Sequence, residues 1–230
     1  EIQRLNGIYE RLLAGSGVHT HEGSGKLIDR HTVEITNAQV RGVFMLHLYF
    51  NLSHDPRVEA RKSTVPDMWN RHIIDSAQIF YARKKSFKKW LDMGSGAGFP
   101  GLVVAILAQD KNINGEIVLV ESDRRKCAFL STVKRELNLK ISIINNRIEV
   151  CDKQNADVVS ARALADLASL LELSFNHASD NASLIFAKGK SWQEELVAAQ
   201  KAWNFSWEAV TSITDSKSVV LKIGELSRAK

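Results

Sequence analysis

The sequence predicts an α/β protein: a mostly parallel seven-stranded sheet with a C-terminal antiparallel hairpin strand, preceded by a helical N-terminal region. Three observations predict it. From Trp90 onward, short apolar runs alternate with amphipathic stretches across loops of about 2–6 residues, the signature of a sheet covered by helices on both faces. The last two apolar runs are separated only by Thr214-Asp215-Ser216-Lys217, too short for a parallel crossover, so they read as a hairpin. Before Lys89 the alternation is missing, and apolar residues recur at helical spacing instead.

Taken in order, Ile2–Leu13 and Asn37–Asn51 are predicted helices. In the second, Val40, Val43, Phe44, His47 and Leu48 share one face, and Thr36 or Asn37 can cap it. Between them, Ala14–Gly25 (AGSGVHTHEGSG) reads as a loop. A third helix, Val65–Tyr81, carries Pro66 in its first turn, where a missing N–H does no harm, and the stripe Trp69, Ile73, Ala77, Phe80. The sheet region then reads as strand and helix in turn: Trp90–Met93, Leu102–Gln109, Ile117–Glu121, Arg124–Leu137, Ile141–Asn145, Asp157–Ala161, Leu164–Asn176, Ser183–Ala187 and Trp192–Trp203. Strands Trp207–Ile213 and Ser218–Ile223 close it. The chain is therefore divided at residues 1–87, a helical and basic region within the same compact unit, and 88–230, the core.

At 230 residues, 44% apolar and 25% charged, the chain has the composition of a soluble globular protein. Its longest apolar run, Leu102–Ala108, falls far short of the roughly 20 residues that cross a bilayer, and Glu1-Ile-Gln-Arg-Leu opens no signal peptide. Cys127 and Cys151 make neither a disulfide framework nor a zinc spacing, so a reducing cytoplasm is expected. The net charge of +5 is concentrated. Residues 1–90 hold 14 Lys/Arg against 9 Asp/Glu, while 91–230 hold 17 of each. A neutral body with a basic N-terminal part points to a polyanionic partner.

The sharpest motif is Leu91-Asp92-Met93-Gly94-Ser95-Gly96-Ala97-Gly98-Phe99-Pro100-Gly101, a glycine loop between a buried strand and a helix. Its glycines let backbone approach a ligand, and the helix that follows presents unpaired N–H groups. Gly96-x-Gly98-x-x-Gly101 fits a dinucleotide and would imply a nicotinamide oxidoreductase. Asp92-x-Gly94-x-Gly96-x-Gly98 instead fits S-adenosylmethionine, because a carboxylate beside the loop repels pyrophosphate but can meet the cofactor's cationic end. Glu121, ending the second strand, suits the ribose hydroxyls of either. Asp92 is thus expected to point into the crevice and to decide for S-adenosylmethionine.

This loop resembles the D-x-G-S/T-G-x-G-F/L-P-G loop of the bacterial RsmG (GidB) family, which methylates guanine N7 in 16S ribosomal RNA. The likeness continues through Trp69-Asn70-Arg71-His72-Ile73-Ile74-Asp75-Ser76, Glu121–Lys126 with Phe129-Leu130, Arg147-Ile148-Glu149, Ser160-Ala161-Arg162-Ala163 and Ala187-Lys188-Gly189. Glu121 stands where the family often has Asp, and the family's N-terminal W-N-K/R-x-I-N-L segment is scarcely visible around Leu48–Ser63. The resemblance implies a class I, Rossmann-like methyltransferase core, with S-adenosylmethionine as cofactor. Its substrate would be 16S ribosomal RNA or the small ribosomal subunit, and it would act as a cytoplasmic monomer without metal or membrane.

It further implies that Asp92, Gly94, Gly96, Gly98, Phe99, Glu121, Ile148, Glu149 and Arg162 bind the cofactor. Arg71, His72, Arg162 and Lys188 would face the substrate. No catalytic base is assigned, since guanine N7 carries a free lone pair. His19, His21 and His31 lie in or near the predicted loop without ligand spacing. Arg83, Lys84, Lys85, Lys88 and Lys89, interleaved with Phe87 and Trp90, form the densest basic run and are candidate phosphate contacts. Two Asn/Asp-Pro-Pro and thiolate chemistries are disfavoured: only Pro56, Pro66 and Pro100 exist, and neither cysteine adjoins a proline. Other readings on the same sequence are methylation of a small molecule or protein, and a non-catalytic cofactor sensor. Deleting residues before about 60 is expected to weaken RNA binding more than binding of S-adenosylhomocysteine, compared by filter binding and calorimetry.

Overall fold

The computed structural model describes residues 69–83 and 86–229, with the backbone of two short strands at 24–27 and 33–36. The chain divides into two compact units, Glu1–His47 and Leu48–Lys230. In the first, β1 (Ser24–Leu27) and β2 (Val33–Thr36) pair as an antiparallel hairpin. This corrects the expectation of a purely helical N-terminal region and of a loop running to Gly25. The β-branched residues Val33, Ile35 and Thr36 favour extended backbone, which helical spacing in the flanking segments obscures. Predicted helices Ile2–Leu13 and Asn37–Asn51, the loop histidines His19, His21 and His31, and Lys84 and Lys85 lie outside the described residues.

In the second unit a π-helical turn, Trp69–Ile74, runs into α1 (Asp75–Ala82). The single helix expected over Val65–Tyr81 is therefore two kinds of helix in series. Ser76 Oγ donates to the carbonyl of His72 at 2.5 Å across the junction. The strand–helix succession follows: β3 (Lys89–Met93), α2 (Gly101–Asp110), β4 (Glu116–Glu121), α3 (Arg124–Glu136) and β5 (Ile141–Asn145). After these come β6 (Ala156–Arg162), α4 (Leu167–His177), β7 (Ala178–Lys188), α5 (Trp192–Ala199), β8 (Trp203–Thr211) and β9 (Val219–Arg228). The charge boundary at residue 90 does not coincide with the division into units, because α1 packs against α2, β7 and β9.

The seven strands are ordered β5-β4-β3-β6-β7-β9-β8. All pair in parallel except β9, which runs antiparallel to both β7 and β8, as the short connector required. The order reverses at β3, with β4 on one side and β6 on the other. That is where a doubly wound sheet opens a crevice beyond its strand ends.

The two sheet faces bury different cores. Leu91, Met93, Val159 and Ala161 face α4, packing with Leu167, Leu170 and Leu171. On the other face Trp90 stacks against Phe80 of α1 (centroids 6.3 Å apart) and meets Phe87 edge-on at 5.2 Å. Phe80 is fully buried, and the Arg83 guanidinium lies 3.6 Å over its ring. Phe80 therefore fastens α1, and with it the π-turn, to the sheet. Phe80→Ala is expected to cost about 3–5 kcal/mol in urea unfolding, the range for an emptied aromatic site.

Candidate functional site

A cleft of about 1030 Å³ opens at the carboxyl ends of β3, β4, β5 and β6. The loop after β3 forms its floor. Gly94, Gly96 and Gly98 have φ of 65°, 57° and 93°, a region that side chains rarely adopt. Gly94 and Gly96 line the cleft. Gly98 does not: it is buried, and a Cβ there would lie 2.2 Å from Leu102 Cδ1. Its expected cofactor contact is replaced by a packing role beneath α2.

Asp92 overturns its expectation more fully. Its side chain is completely buried and forms no part of the cleft wall. Oδ2 accepts from the Gly101 N–H at 3.1 Å, and Oδ1 accepts from Ser160 Oγ at 2.7 Å. Ser160 Oγ in turn accepts from Trp90 Nε1 at 2.8 Å. The reason is registry. Asp92 pairs with Ser160 across β3 and β6, so both side chains share the face that α2 covers. The carboxylate caps the first turn of α2, where negative charge is favoured. Burial nevertheless pushes its pKa up to about 6, against the hydrogen bonds that oppose the rise.

Glu121, on β4, does line the cleft. Oε2 accepts from the Gly96 N–H and Oε1 from the Asp123 N–H, both at 2.8 Å. These bonds leave further lone pairs on each oxygen to accept from vicinal hydroxyls. Ile148 and Glu149 follow β5 in a short 3-10 turn on the same wall. His177 Nε2 donates to the carbonyl of Ile148 at 3.0 Å, which fixes that turn from below.

The opposite wall is built at the end of β6. Arg162 and His72 both line the cleft, and Arg162 Nη2 donates to His72 Nδ1 at 2.7 Å. The imidazole stacks on Phe99 of the glycine loop, with centroids 5.1 Å apart and planes 21° from parallel. Ala163, next in the chain, has φ of 51°, a conformation costing of order 1 kcal/mol or more for a non-glycine residue. It turns the backbone off the strand so that Leu164 lies over Gly94, where an added Cβ would meet Leu164 Cδ1 at 2.6 Å.

Lys188 is placed differently from the expected substrate contact. It is buried outside the cleft, with Nζ 2.5 Å from Glu195 and donating to the Ala165 carbonyl at 3.0 Å. It anchors the loop after β6. Arg71 lies on the π-turn, with its side chain outside the described residues. The basic run also reads differently. Phe87 and Trp90 are core, Arg83 bonds the Phe80 carbonyl and Lys89 pairs with Glu116 at 3.4 Å. Lys88 and Lys89 stand at the amino end of β3, the far edge of the sheet from the cleft. Burial pushes the thiols of Cys127 and Cys151 up, which suits packing and not nucleophilic attack.

Cleft residues that the sequence reading passed over include Ser95, Ser122, Asn146, Arg147, Leu164 and Arg228. Ser122 and Asn146 had a signal, since each directly follows a parallel strand. Arg228 had none, because only the folded hairpin brings it to the cleft. Among the described residues no group of His, Cys, Asp or Glu is arranged to hold a metal ion, and no helix is long and apolar enough to cross a membrane.

A glycine loop at the switch point, a carboxylate on the adjacent strand and a β9 strand reversed in the sheet define an S-adenosylmethionine-dependent methyltransferase fold. A solved S-adenosylmethionine-dependent methyltransferase from Aquifex aeolicus superposes with a TM-score of 0.52 at 14% identity, covering 69% of this chain and 92% of that one. The family model for rRNA small subunit methyltransferase G matches residues 57–223. Ribosomal RNA small subunit methyltransferase G of Ruegeria pomeroyi is 44% identical over 186 residues, 80% of this chain and 91% of that protein. Its counterpart in a second Ruegeria strain is 45% identical over 169 residues, 74% and 82% of the two chains. The chain belongs to the rRNA small subunit methyltransferase G family. With Asp92 withdrawn from the cleft, it no longer decides between cofactors, and S-adenosylmethionine rests on this fold and family.

Asp92 also sets a pH dependence. A folded-state pKa of about 6 lies above the ordinary 3.8, so between those values the folded chain holds a proton that the unfolded chain releases. This contribution to stability therefore grows as pH falls through 6 and is complete below about 4. Between pH 7 and pH 5, wild type should gain about 1 kcal/mol relative to Asp92→Asn in urea unfolding. A flat difference would show that the carboxylate titrates normally.

Proposed function

We propose that this chain methylates N7 of a guanine in 16S ribosomal RNA, with S-adenosylmethionine as methyl donor. The observation that carries the reading is the polarity of the cleft about the glycine loop. On the β4 side stand Glu121, an acceptor for ribose hydroxyls, and Ile148 and Glu149, an apolar contact and an acceptor for adenine. On the β6 side stand Arg162, His72 and Phe99. A nucleoside with its sugar at Glu121 and its base toward β5 would leave the β6 wall for the methyl acceptor.

The chemistry suits this wall. When bound, S-adenosylmethionine would supply an electrophilic methyl whose leaving group is a neutral thioether, and an acceptor nitrogen with a free lone pair would take it without losing a proton. The protein's work is to hold the base plane and exclude misaligned approaches. A general base is unnecessary, because the accepting nitrogen has a free lone pair and no proton to lose. The basic region 1–87 supplies phosphate contacts in this reading, and the protein works in the cytoplasm, where its substrate is assembled.

The test uses labelled S-adenosylmethionine with naked 16S ribosomal RNA and with small subunits from a strain lacking this activity. Label should map to one guanine at N7, and transfer should fall about tenfold or more as salt rises from 50 to 200 mM. Label on another base, or a salt-independent reaction with a small molecule or protein, would refute the reading. Cofactor binding with no turnover on any RNA would identify a sensor instead.

A further inference from the structure

We propose that the outer face of α3 is a docking surface for the phosphate backbone of the RNA substrate, beginning at the cleft rim and leading down the flank of the core. The inference rests on the reading above that the substrate is RNA, and it assigns part of the contact to the core itself. Residues 91–230 are neutral in sum, yet their charge is unevenly laid out. Ser122 to Arg147 holds seven Lys/Arg against two Asp/Glu, while the remainder of 91–230 holds ten against fifteen. A concentrated field of one sign repels itself and attracts a polyanion.

Four features of α3 give this excess a direction. Cys127, Leu130 and Val133 are buried, so helical spacing leaves Arg124, Arg125, Ala128, Ser131, Thr132 and Arg135 on the outside, where all six are exposed. Cations therefore stand at both ends of one stripe, about 16 Å apart by helical rise, with small uncharged side chains between them. Ion pairing does not account for them. Arg125 lies 3.4 Å from Asp123 and Arg135 lies 3.0 Å from Glu136, both at the surface, where pairing contributes little. Among the described residues Arg124, Lys126, Lys134, Lys140 and Arg147 form no ion pair. Next, Arg124, Arg125 and Lys126 fill the first turn, which holds no acidic residue. That end of a helix disfavours cations, so helix formation alone selects against them there. Finally, the stripe is joined to the cleft. Lys126 and Arg147 line it, and Glu121 on its wall accepts the Asp123 N–H at 2.8 Å, which fixes where α3 begins.

The experiment measures equilibrium binding of naked 16S ribosomal RNA and of small subunits by filter binding, between 50 and 200 mM salt. The triple variant Lys134→Gln/Arg135→Gln/Lys140→Gln changes only exposed side chains outside the cleft. It should weaken binding of naked RNA about tenfold and lower the slope of log affinity against log salt by about 2–3. Lys111→Gln/Lys153→Gln/Lys201→Gln removes the same charge from exposed lysines elsewhere on the core and should stay within about threefold of wild type. The charge-conserving triple Lys134→Arg/Arg135→Lys/Lys140→Arg should keep the wild-type slope, since a phosphate contact of this kind requires charge and not a particular side chain. Calorimetric binding of S-adenosylhomocysteine, equal to wild type, reports that each variant is folded. Wild-type affinity and slope for naked RNA in the α3 triple would overturn the inference, and a loss confined to small subunits would assign the face to a ribosomal protein instead. An equal loss in the Lys111, Lys153 and Lys201 triple would also overturn it, as an effect of net charge. The methylated base does not enter this measurement, so label at a base other than guanine would sink the N7 reading and leave the surface in place.

Discussion

The carboxylate of Asp92 is the constraint on which the cleft depends. A chain of donors runs into it: Trp90 Nε1 to Ser160 Oγ, Ser160 Oγ to Oδ1, and the Gly101 amide to Oδ2. Each link leaves the next group needing an acceptor, and the two oxygens of the Asp92 carboxyl end the series. The three links tie β3 to β6 and both to the first turn of α2. The switch-point strands and the far end of the glycine loop are thus locked in one buried network. Burial opposes the charge and the hydrogen bonds favour it, with burial the larger effect. Close packing around it leaves no room at Gly101, where an added Cβ would lie 2.6 Å from Oδ2.

The other loop ends of the cleft are held in the same manner, by a side chain on a main-chain group. Glu121 receives the amides of Gly96 and Asp123, joining the glycine loop to the end of β4. Asn145 Nδ2 donates to the carbonyls of Glu121 and Ser122, extending the tie to β5. Past β6, Lys188 bonds the Ala165 carbonyl while its partner Glu195 accepts the Leu167 amide. A buried ion pair adds little net stability, but here it fixes a loop that carries cleft residues. Walls ordered in advance lose less entropy when a ligand is bound, which is the general gain from preorganisation.

The sheet was legible in the sequence because parallel strands are buried on both faces and read as short apolar runs. Ile141–Asn145 and the β9 reversal follow from run length and connector length alone. The hairpin Ser24–Leu27 with Val33–Thr36 was not legible, since two four-residue strands carry too little periodicity to outweigh helical neighbours. Within the site, Gly94, Gly96, Phe99, Glu121, Ile148, Glu149, His72 and Arg162 are brought to one cleft. Asp92 and Lys188 misled for a common reason. Motif order places a charged residue at a strand end without saying which face its side chain takes, and registry with β6 turned Asp92 inward. The basic run failed on direction too, because strand polarity puts Lys88 and Lys89 at the opposite edge from the cleft.

That polarity explains why the two walls of the cleft differ in chemistry. On one side β4 ends in the Glu121 carboxylate, and the 3-10 turn Ile148–Val150 follows β5. On the other side β6, the π-turn and the glycine loop bring a guanidinium, an imidazole and a phenyl ring together. The strained Ala163 belongs to this arrangement: its left-handed backbone ends β6 abruptly at Arg162 and brings Leu164 across Gly94.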